Sequence, residues 1–200
     1  TSGAPVRERV YKEKQVYKSY AAAADAGITI GDFVRLGAEY DIGSGDKNRT
    51  AAVSTTFQNL FPTNHLFYGE ADLVSWQNMT ARSGSITLNL GKFGKLKAAY
   101  WEVDKHRLED AWYDVGGNRR ADAQGAGLST ESQANARYGN VLDASGSVTS
   151  RGSGQLKKHL FREWDLVDSV KFRRMEITAG YARILAGDSI GDVRDDVLTP

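Results

Sequence analysis

A period of two in the apolar residues constrains the fold of this chain more than any other feature. Between residues 34 and 42, apolar side chains occupy every second position, and the positions between them are Arg35, Gly37, Glu39 and Asp41. Successive side chains of a β-strand point to opposite faces of a sheet, so this pattern predicts a strand with one apolar and one polar face. The alternation returns in residues 85–90, 96–101, 163–172 and 175–185, and residues 20–28 form a less regular, alanine-rich candidate.

Short connections join the candidate strands in pairs, and long polar stretches separate the pairs. Gly31-Asp32, residues 91–94 and Arg173-Arg174 each have the length of a hairpin turn. Residues 43–79 and 104–157 are much longer than the loops of compact soluble domains. Short turns that alternate with long loops are typical of outer-membrane barrels. The sequence therefore predicts an all-β fold, an antiparallel transmembrane β-barrel or a portion of one, with short periplasmic turns and long extracellular loops.

Composition agrees with this fold class and excludes several others. No run of about 18 apolar residues is present, which excludes a helical membrane span. The 26 Lys and Arg residues balance 25 Asp and Glu residues, so charge gives no indication of a nucleic-acid partner. The chain has no cysteine, so it has neither disulfides nor thiolate metal sites. Its six candidate strands are fewer than the eight of the smallest barrels, so residues 1–200 are expected to be one region of a larger barrel.

The two faces of the strands would have different surroundings in a barrel. Val34, Leu36, Ala38 and Tyr40 are expected to face lipid, and the polar face is expected to line a water-filled lumen. The predicted lumen-lining residues are Arg35, Glu39, Asp41, Lys97, Glu163, Asp165, Lys171 and Glu176. Their mixed charges suit a polar channel, but they do not form a positive selectivity ring for a polyanion.

Two charges and six aromatic residues leave alternatives open in this assignment. Asp168 and Arg183 fall on the lipid-facing set, where an Arg at the midplane costs roughly 2 to 4 kcal/mol. Either they lie near a membrane interface or the register contains a bulge. Aromatic residues that could form an interface girdle, or could equally be ordinary sheet-core residues, are Tyr40, Trp76, Tyr100, Trp101, Trp164 and Tyr181.

Several segments resemble the C-terminal half of alginate-export family outer-membrane proteins. The most specific is Leu-Phe-Pro-Thr-Asn-His at residues 60–65, which follows a strand that ends in Tyr-Asp-Ile-Gly-Ser-Gly-Asp at residues 40–46. Weaker matches lie at residues 110–113, 163–166 and 179–181; the likeness covers most of residues 20–192, and residues 1–19 match poorly. The resemblance implies a monomeric barrel of about 16 to 18 strands in the bacterial outer membrane, with a polar lumen that passes a polysaccharide or other polar solutes.

No catalytic arrangement stands out in the sequence. His65, His106 and His159 are far apart and show no metal-ligand spacing, and no Gly-x-Ser-x-Gly motif is present. We therefore expect no enzyme activity, no cofactor and no metal site, and the missing nucleophile motif disfavours a barrel-embedded hydrolase.

The long loops carry two further candidates for binding. Asp41, Asp46 and Asp72 could ligate calcium through hard oxygen donors, although solvated loop carboxylates are the commoner case. Arg119 and Arg120 could contact a polyanion, or they could belong to a loop that only remains soluble.

The function that these observations predict is an outer-membrane channel for passive export or diffusion of polar solutes, with an anionic polysaccharide such as alginate as one candidate cargo. Expected partners are membrane lipid, lipopolysaccharide and the solute, without nucleic acid. Because burying each large apolar side chain contributes about 1.5 to 3 kcal/mol, a cap over the lumen mouth is expected from Leu60, Phe61, Pro62, Thr63, Asn64 and His65. The alternative is a soluble or surface-attached β-sheet module that binds carbohydrate through exposed Trp76, Trp112 and Tyr113.

Overall fold

The structure, a computed structural model, describes residues 16–47, 53–60, 67–120 and 157–190, together with the backbone of residues 141–142 and 148–150. A 3-10 turn lies at Gly91–Phe93. No helix in the described ranges is both long enough and apolar enough to cross a membrane. The strands in chain order are β1 Val16–Tyr17, β2 Ala21–Ile30, β3 Val34–Gly43, β4 Val53–Ser54, β5 Met79–Asn89, β6 Lys95–Lys105, β7 Trp112–Tyr113, β8 Arg119–Arg120, β9 Val141–Leu142, β10 Val148–Ser150, β11 His159–Phe172 and β12 Met175–Ala186.

The predicted all-β class is confirmed for the described residues, and so are the three hairpins. Six strands form one sheet in the order β12-β11-β6-β5-β3-β2, and every neighbouring pair in it is antiparallel. The turns at 31–33, 90–94 and 173–174 lie at one end of this sheet. The two long connections, 44–78 and 106–158, leave from the opposite end. Strands β2 and β12 are the edges and do not pair with each other in the described structure, so this sheet is open.

The strand register gives the sheet one apolar face. Leu36 pairs with Ile86, and the same row continues through Ala98 and Leu166 to Tyr181. Soluble monomers rarely expose an apolar patch of more than a few hundred Å². Large apolar side chains on this face that are exposed are Ile28, Ile30, Leu36, Tyr40, Ile86, Trp164, Leu166, Phe172, Met175, Ile177, Tyr181 and Leu185.

The register places all eight predicted lumen-lining residues on the other face, the polar face. One row joins Arg35 to Lys97, a second joins Glu39 to Glu163, and Lys171 pairs with Glu176. The half of this face near the long connections is covered by residues 67–78, which we call the covering segment. The hydrophobic core lies between them and consists of Tyr68, Val74, Met79, Ala81, Ala99, Trp101, Val103, Leu160 and Phe161, with Phe67, Leu73, Trp76, Trp112 and Ile190 packed against it.

The turn ends of the strands are staggered across the sheet, whereas at the other end Gly43, Met79 and Lys105 share one register row. One register row runs from Val34, the first residue of β3, through Leu96 to Asp168. Strand β6 begins one residue beyond this row, at Lys95, and β11 continues from Asp168 to Phe172 before its turn. The turn ends therefore move in one direction from strand to strand.

The two unexpected charges lie on the apolar face without a bulge beside them. Pairing of β11 with β12 is continuous from Phe161 to Phe172, and the irregularity between β11 and β6 falls between His159 and Phe161. A bulge therefore does not explain Asp168 or Arg183, and their position near a membrane interface stays a prediction.

The six aromatic residues divide between the faces. Tyr100 contacts Trp164 on the apolar face, with ring centroids 4.6 Å apart, and Tyr40 and Tyr181 lie on the same face. These four remain candidates for an interface girdle. Trp101 is instead buried on the polar face and Trp76 belongs to the covering segment, so both contribute to the core.

Candidate functional site

The charged residues of the polar face differ in exposure along the strands. Near the turns, Lys171 and Glu176 form an exposed ion pair of 3.6 Å, and Arg35 lies 3.7 Å from Asp25. Toward the long connections, the side chains become covered. Those of Asp41 and Glu163 are 0% exposed and that of Asp165 is 5% exposed. The sequence identified the face of these residues but not their burial.

The covering segment is attached to the sheet by its backbone. The Ala71 N–H donates to Glu163 Oε1 at 2.8 Å, across 92 positions of sequence. Gly69, with φ +103°, lies against the same carboxylate, and a Cβ there would be 2.8 Å from its atoms. Tyr68 is 3% exposed, and burial, with Asp72 and Asp41 nearby, raises the pKa of its hydroxyl to about 12. A segment held this closely makes part of the polar face inaccessible.

Aromatic packing holds the two ends of the covering segment together. The rings of Phe67 and Trp76 stack with centroids 4.6 Å apart and an interplanar angle of 28°. Phe57 contacts Trp76 edge-on at 6.4 Å. Such pairs contribute about 0.5 to 1.5 kcal/mol beyond the area that they bury.

Buried hydrogen bonds join the two long connections at the same end of the sheet. Asn78, in a left-handed conformation with φ 49°, donates to the carbonyls of Arg107 and Ala111 and accepts from the Arg107 N–H at 2.7 Å. Asp110 accepts from the Asp46 N–H at 3.0 Å and from the Thr56 hydroxyl at 2.6 Å. The described parts of both connections therefore form one ordered layer. We call it the covering layer, and the covering segment is one part of it.

The histidines have structural surroundings where the structure describes them. His106 accepts a hydrogen bond from the Gly45 N–H at 3.1 Å and lies 3.3 Å from the Tyr20 hydroxyl. Burial lowers the pKa of His106, and the positive charges of Arg107 and Lys158 lower it further. His65 lies outside the described residues.

A cluster that the sequence analysis missed contains Glu102, Asp104 and His159. Their ligand atoms lie within 4.8 Å of one another, on strands β6 and β11. The cluster is already neutralised in part, because Arg82 lies 3.1 Å from Glu102 and 3.6 Å from Asp104. It forms through strand pairing over more than fifty positions, so no local spacing could have indicated it.

The calcium candidates do not converge. The carboxylates of Asp41, Asp46 and Asp72 do not all lie within 4.8 Å of one another. Asp46 accepts a hydrogen bond from the Thr55 N–H, and the Tyr68 backbone lies beside Asp41. These surroundings differ from those expected for a shared ion in a loop.

The loop-cap and polyanion candidates are described only in part. Leu60 is 78% exposed, and residues 61–65 lie outside the described residues, so the predicted cap stays a prediction. Arg119 and Arg120 are exposed, and Arg120 forms a 2.8 Å ion pair with Asp114.

The aromatic residues of the carbohydrate-module alternative are not exposed. Trp76 and Trp112 are half-buried and pack against the core. The Tyr113 hydroxyl donates to Asp110 at 3.2 Å. The expectation of an exposed aromatic surface at these three residues was therefore wrong, because the covering layer uses them for its own packing.

Comparison with protein-family models gives a match over nearly the whole chain. The sequence model of the alginate export family matches residues 7–199, which confirms the resemblance and extends it into the N-terminal residues that seemed to match poorly. Comparison with curated proteins gave no match. The family is a transport family of outer-membrane proteins, and the all-β structure is consistent with that location.

Proposed function

The chain belongs to the alginate export family, and from that premise we propose that its sheet forms part of the wall of an outer-membrane β-barrel channel that passes polar solutes passively. Membership makes the chain an export-related outer-membrane protein. Barrel closure, passive conduction and the cargo belong to the proposal.

The observation that carries the proposal is the inside-out distribution of side chains. On the apolar face, Leu36 is 45%, Leu166 is 46% and Tyr181 is 63% exposed, whereas Asp41 and Glu163 on the polar face are fully buried. An antiparallel sheet in a soluble protein packs its apolar face on a core and leaves its polar face in water. Lipid around the apolar face would remove this surface from water without any protein partner.

The stagger of the strands supports closure into a barrel. The register row of Val34, where β3 begins after its turn, contains Asp168 of β11. Strand β11 continues four positions beyond Asp168, to Phe172, before its own turn. Strand β11 lies three strand-to-strand steps from β3 in the sheet. With about 3.3 Å per residue and about 4.8 Å between strands, turns at a common height require a tilt of about 42°. Barrel strands tilt by about 35 to 45°.

Strand length supports the same proposal. Strand β3 has 10 residues and β12 has 12. At about 3.3 Å per residue and this tilt, they would rise about 25 to 30 Å, which matches the roughly 25 Å apolar band of outer-membrane barrels.

Polar and aromatic residues on the apolar face lie near the strand ends that lead to the long connections. Each of them is three positions from the end of its strand, where we expect lipid headgroups. They are Tyr40, Arg82, Glu102, Arg162 and Arg183. The position of Arg183 is then an interface position, and the arginines would contact phosphates of lipid or lipopolysaccharide.

The polar face supports a water-filled passage that is narrowed on one side. Arg35, Lys97, Lys171 and Glu176 remain outside the covering segment and carry both signs of charge, so we expect weak ion selectivity. The covering segment fills the other half of the face and would reduce the free cross-section there. Alginate as a cargo rests on the family description, and the charges supply no separate argument for it.

Reconstitution tests the proposal. The intact protein, purified in detergent and added to planar lipid bilayers, should produce discrete conductance steps, and the charge-reversal variants Lys97→Glu and Lys171→Glu should shift selectivity toward cations. Thr80→Ser, a mild change near the far end of β5, is the control and should leave selectivity unchanged. Protein that inserts in folded form without conducting would contradict the channel. Protein that stays folded and monomeric without detergent would instead support a soluble module.

A further inference from the structure

The covering segment lies over a pair of buried carboxylates that have too few hydrogen-bond donors. Glu163 and Asp165 are two positions apart on β11 and share the polar face. Glu163 Oε1 accepts from the Ala71 N–H, but no donor of good geometry reaches Glu163 Oε2 or either carboxylate oxygen of Asp165 in the described structure, and the two carboxylates lie at hydrogen-bonding distance from each other. Buried polar atoms are satisfied in the great majority of cases, and each exception requires an explanation.

No described side chain neutralises this pair. The groups that act on the charge of Glu163 are the Asp165 carboxylate, through a hydrogen-bonding contact and through its charge, and the backbones of Ala71 and Glu70; none of them is a cation. Gly69 and Ala71 of the covering segment lie directly against the Glu163 carboxylate, so a cation on another wall of a barrel would have to displace them to reach it. The neutralising species must be small enough to lie beneath the covering segment.

The chemistry of the free oxygens selects a class of ligand. Two adjacent carboxylates supply two negative charges and hard oxygen donors, which hard divalent cations such as calcium prefer. We propose that Glu163 and Asp165 bind a divalent cation of the calcium type beneath the covering segment. Glu163 then has two roles, because one oxygen holds the Ala71 N–H while the other binds the ion.

The site is distinct from the cluster of Glu102, Asp104 and His159. In that cluster, Asp104 lies 3.0 Å from His159, and Arg82 contacts both carboxylates. The carboxylates of that cluster therefore have a cationic partner, Arg82, whereas no cation acts on Glu163 under the covering segment. This second cluster serves as the control for adventitious ion binding.

Terbium provides a direct probe, because it is a hard cation that replaces calcium and emits when a nearby tryptophan is excited. Trp101 is the register partner of Glu163 on the neighbouring strand and is 4% exposed, so it is suitably placed as the donor. The intact protein in detergent, freed of metal with a chelator, should show saturable terbium emission that calcium displaces. Asp165→Asn should weaken this binding by about tenfold or more, because one ligand charge is lost. It keeps the hydrogen bond from Ala71 to Glu163, and so it is expected to fold.

Two further variants make the result decisive. Glu163→Gln should also lose the emission, whereas Asp104→Asn in the cluster with Glu102 and His159 should retain it. In limited proteolysis, calcium should slow cleavage within the covering segment of the unaltered protein but not of Asp165→Asn. Absence of saturable emission, equal affinity in Asp165→Asn, or loss of emission only in Asp104→Asn would overturn the proposal; a proton shared by the pair would then be the small neutralising species. None of these outcomes depends on channel conductance, so the two proposals fail separately.

Discussion

Placing an arginine at Leu166 measures the surroundings of the apolar face. Leu166 is six positions from Phe172, the turn end of β11, which corresponds to about 15 Å of depth at about 3.3 Å per residue and a tilt of about 42°. That depth lies near the middle of the apolar band. Leu166→Arg should therefore lower the free energy of unfolding by about 2 to 4 kcal/mol, the cost of an arginine at the midplane of a membrane barrel.

The assay is equilibrium unfolding in urea with the protein folded into lipid vesicles. Thr178→Arg is the matched control, because Thr178 is exposed on the polar face of the neighbouring strand. It should change the free energy of unfolding by no more than about 0.5 kcal/mol, as surface substitutions usually do. A Leu166→Arg variant as stable as the control would refute the reasoning, since arginine at an exposed position in water costs little.

Three further predictions concern the covering layer. Gly69→Ala should destabilise the covering segment by about 1 to 3 kcal/mol because of its positive φ and should accelerate proteolysis there, whereas Gly84→Ala, which meets nothing within 4 Å, should not. Asn78→Ala should cost about 1 to 3 kcal/mol for each buried group left unpaired, measured by urea unfolding, and the exposed Asn118→Ala should cost much less. The lowered pKa of His106 means that its neutral form favours folding above the unfolded pKa of about 6.5, and this contribution is lost as pH falls through the lower folded value. The melting temperature of His106→Gln should therefore fall less steeply between about pH 7 and 5, and an identical pH dependence in both proteins would contradict the assignment.

The strands and hairpins could be predicted because their signals are local. Alternation over residues 34–42 fixes which side chains share a face, and a turn at Arg173-Arg174 needs no information from elsewhere in the chain. The register then extends this assignment across the sheet, which explains why all predicted lumen-lining residues share one face. The exposed apolar face follows from the same pattern.

The covering layer could not be predicted, because its determinants are not local. Tyr68, Asp72 and Asn78 adopt left-handed conformations, which residues other than glycine seldom adopt. The hydrogen bond from Ala71 to Glu163 joins positions 92 apart. The sequence indicates apolar surface that needs burial and predicts a cap at residues 60–65. Residues 61–65 lie outside the described residues, so that cap stays a prediction beside the observed cover at residues 67–78. Glu163 was predicted to be an open lumen residue because the hydrogen bond that covers it comes from a distant part of the chain.

The central claim is that one face of the sheet meets lipid and the other meets the polar interior, and cysteine scanning tests it most directly. The chain contains no cysteine, so single substitutions at neighbouring positions of β11 and β12 can be compared without background labelling. In lipid vesicles, a water-soluble thiol reagent should label Val167→Cys and Thr178→Cys and leave Leu166→Cys and Tyr181→Cys almost unmodified. With a fluorophore attached at each of the same four sites in turn, quenchers dissolved in the lipid should reduce the fluorescence strongly at Leu166 and Tyr181. They should reduce it little at Val167 and Thr178. Equal labelling at all four sites, or rapid labelling at Leu166 and Tyr181, would contradict the account.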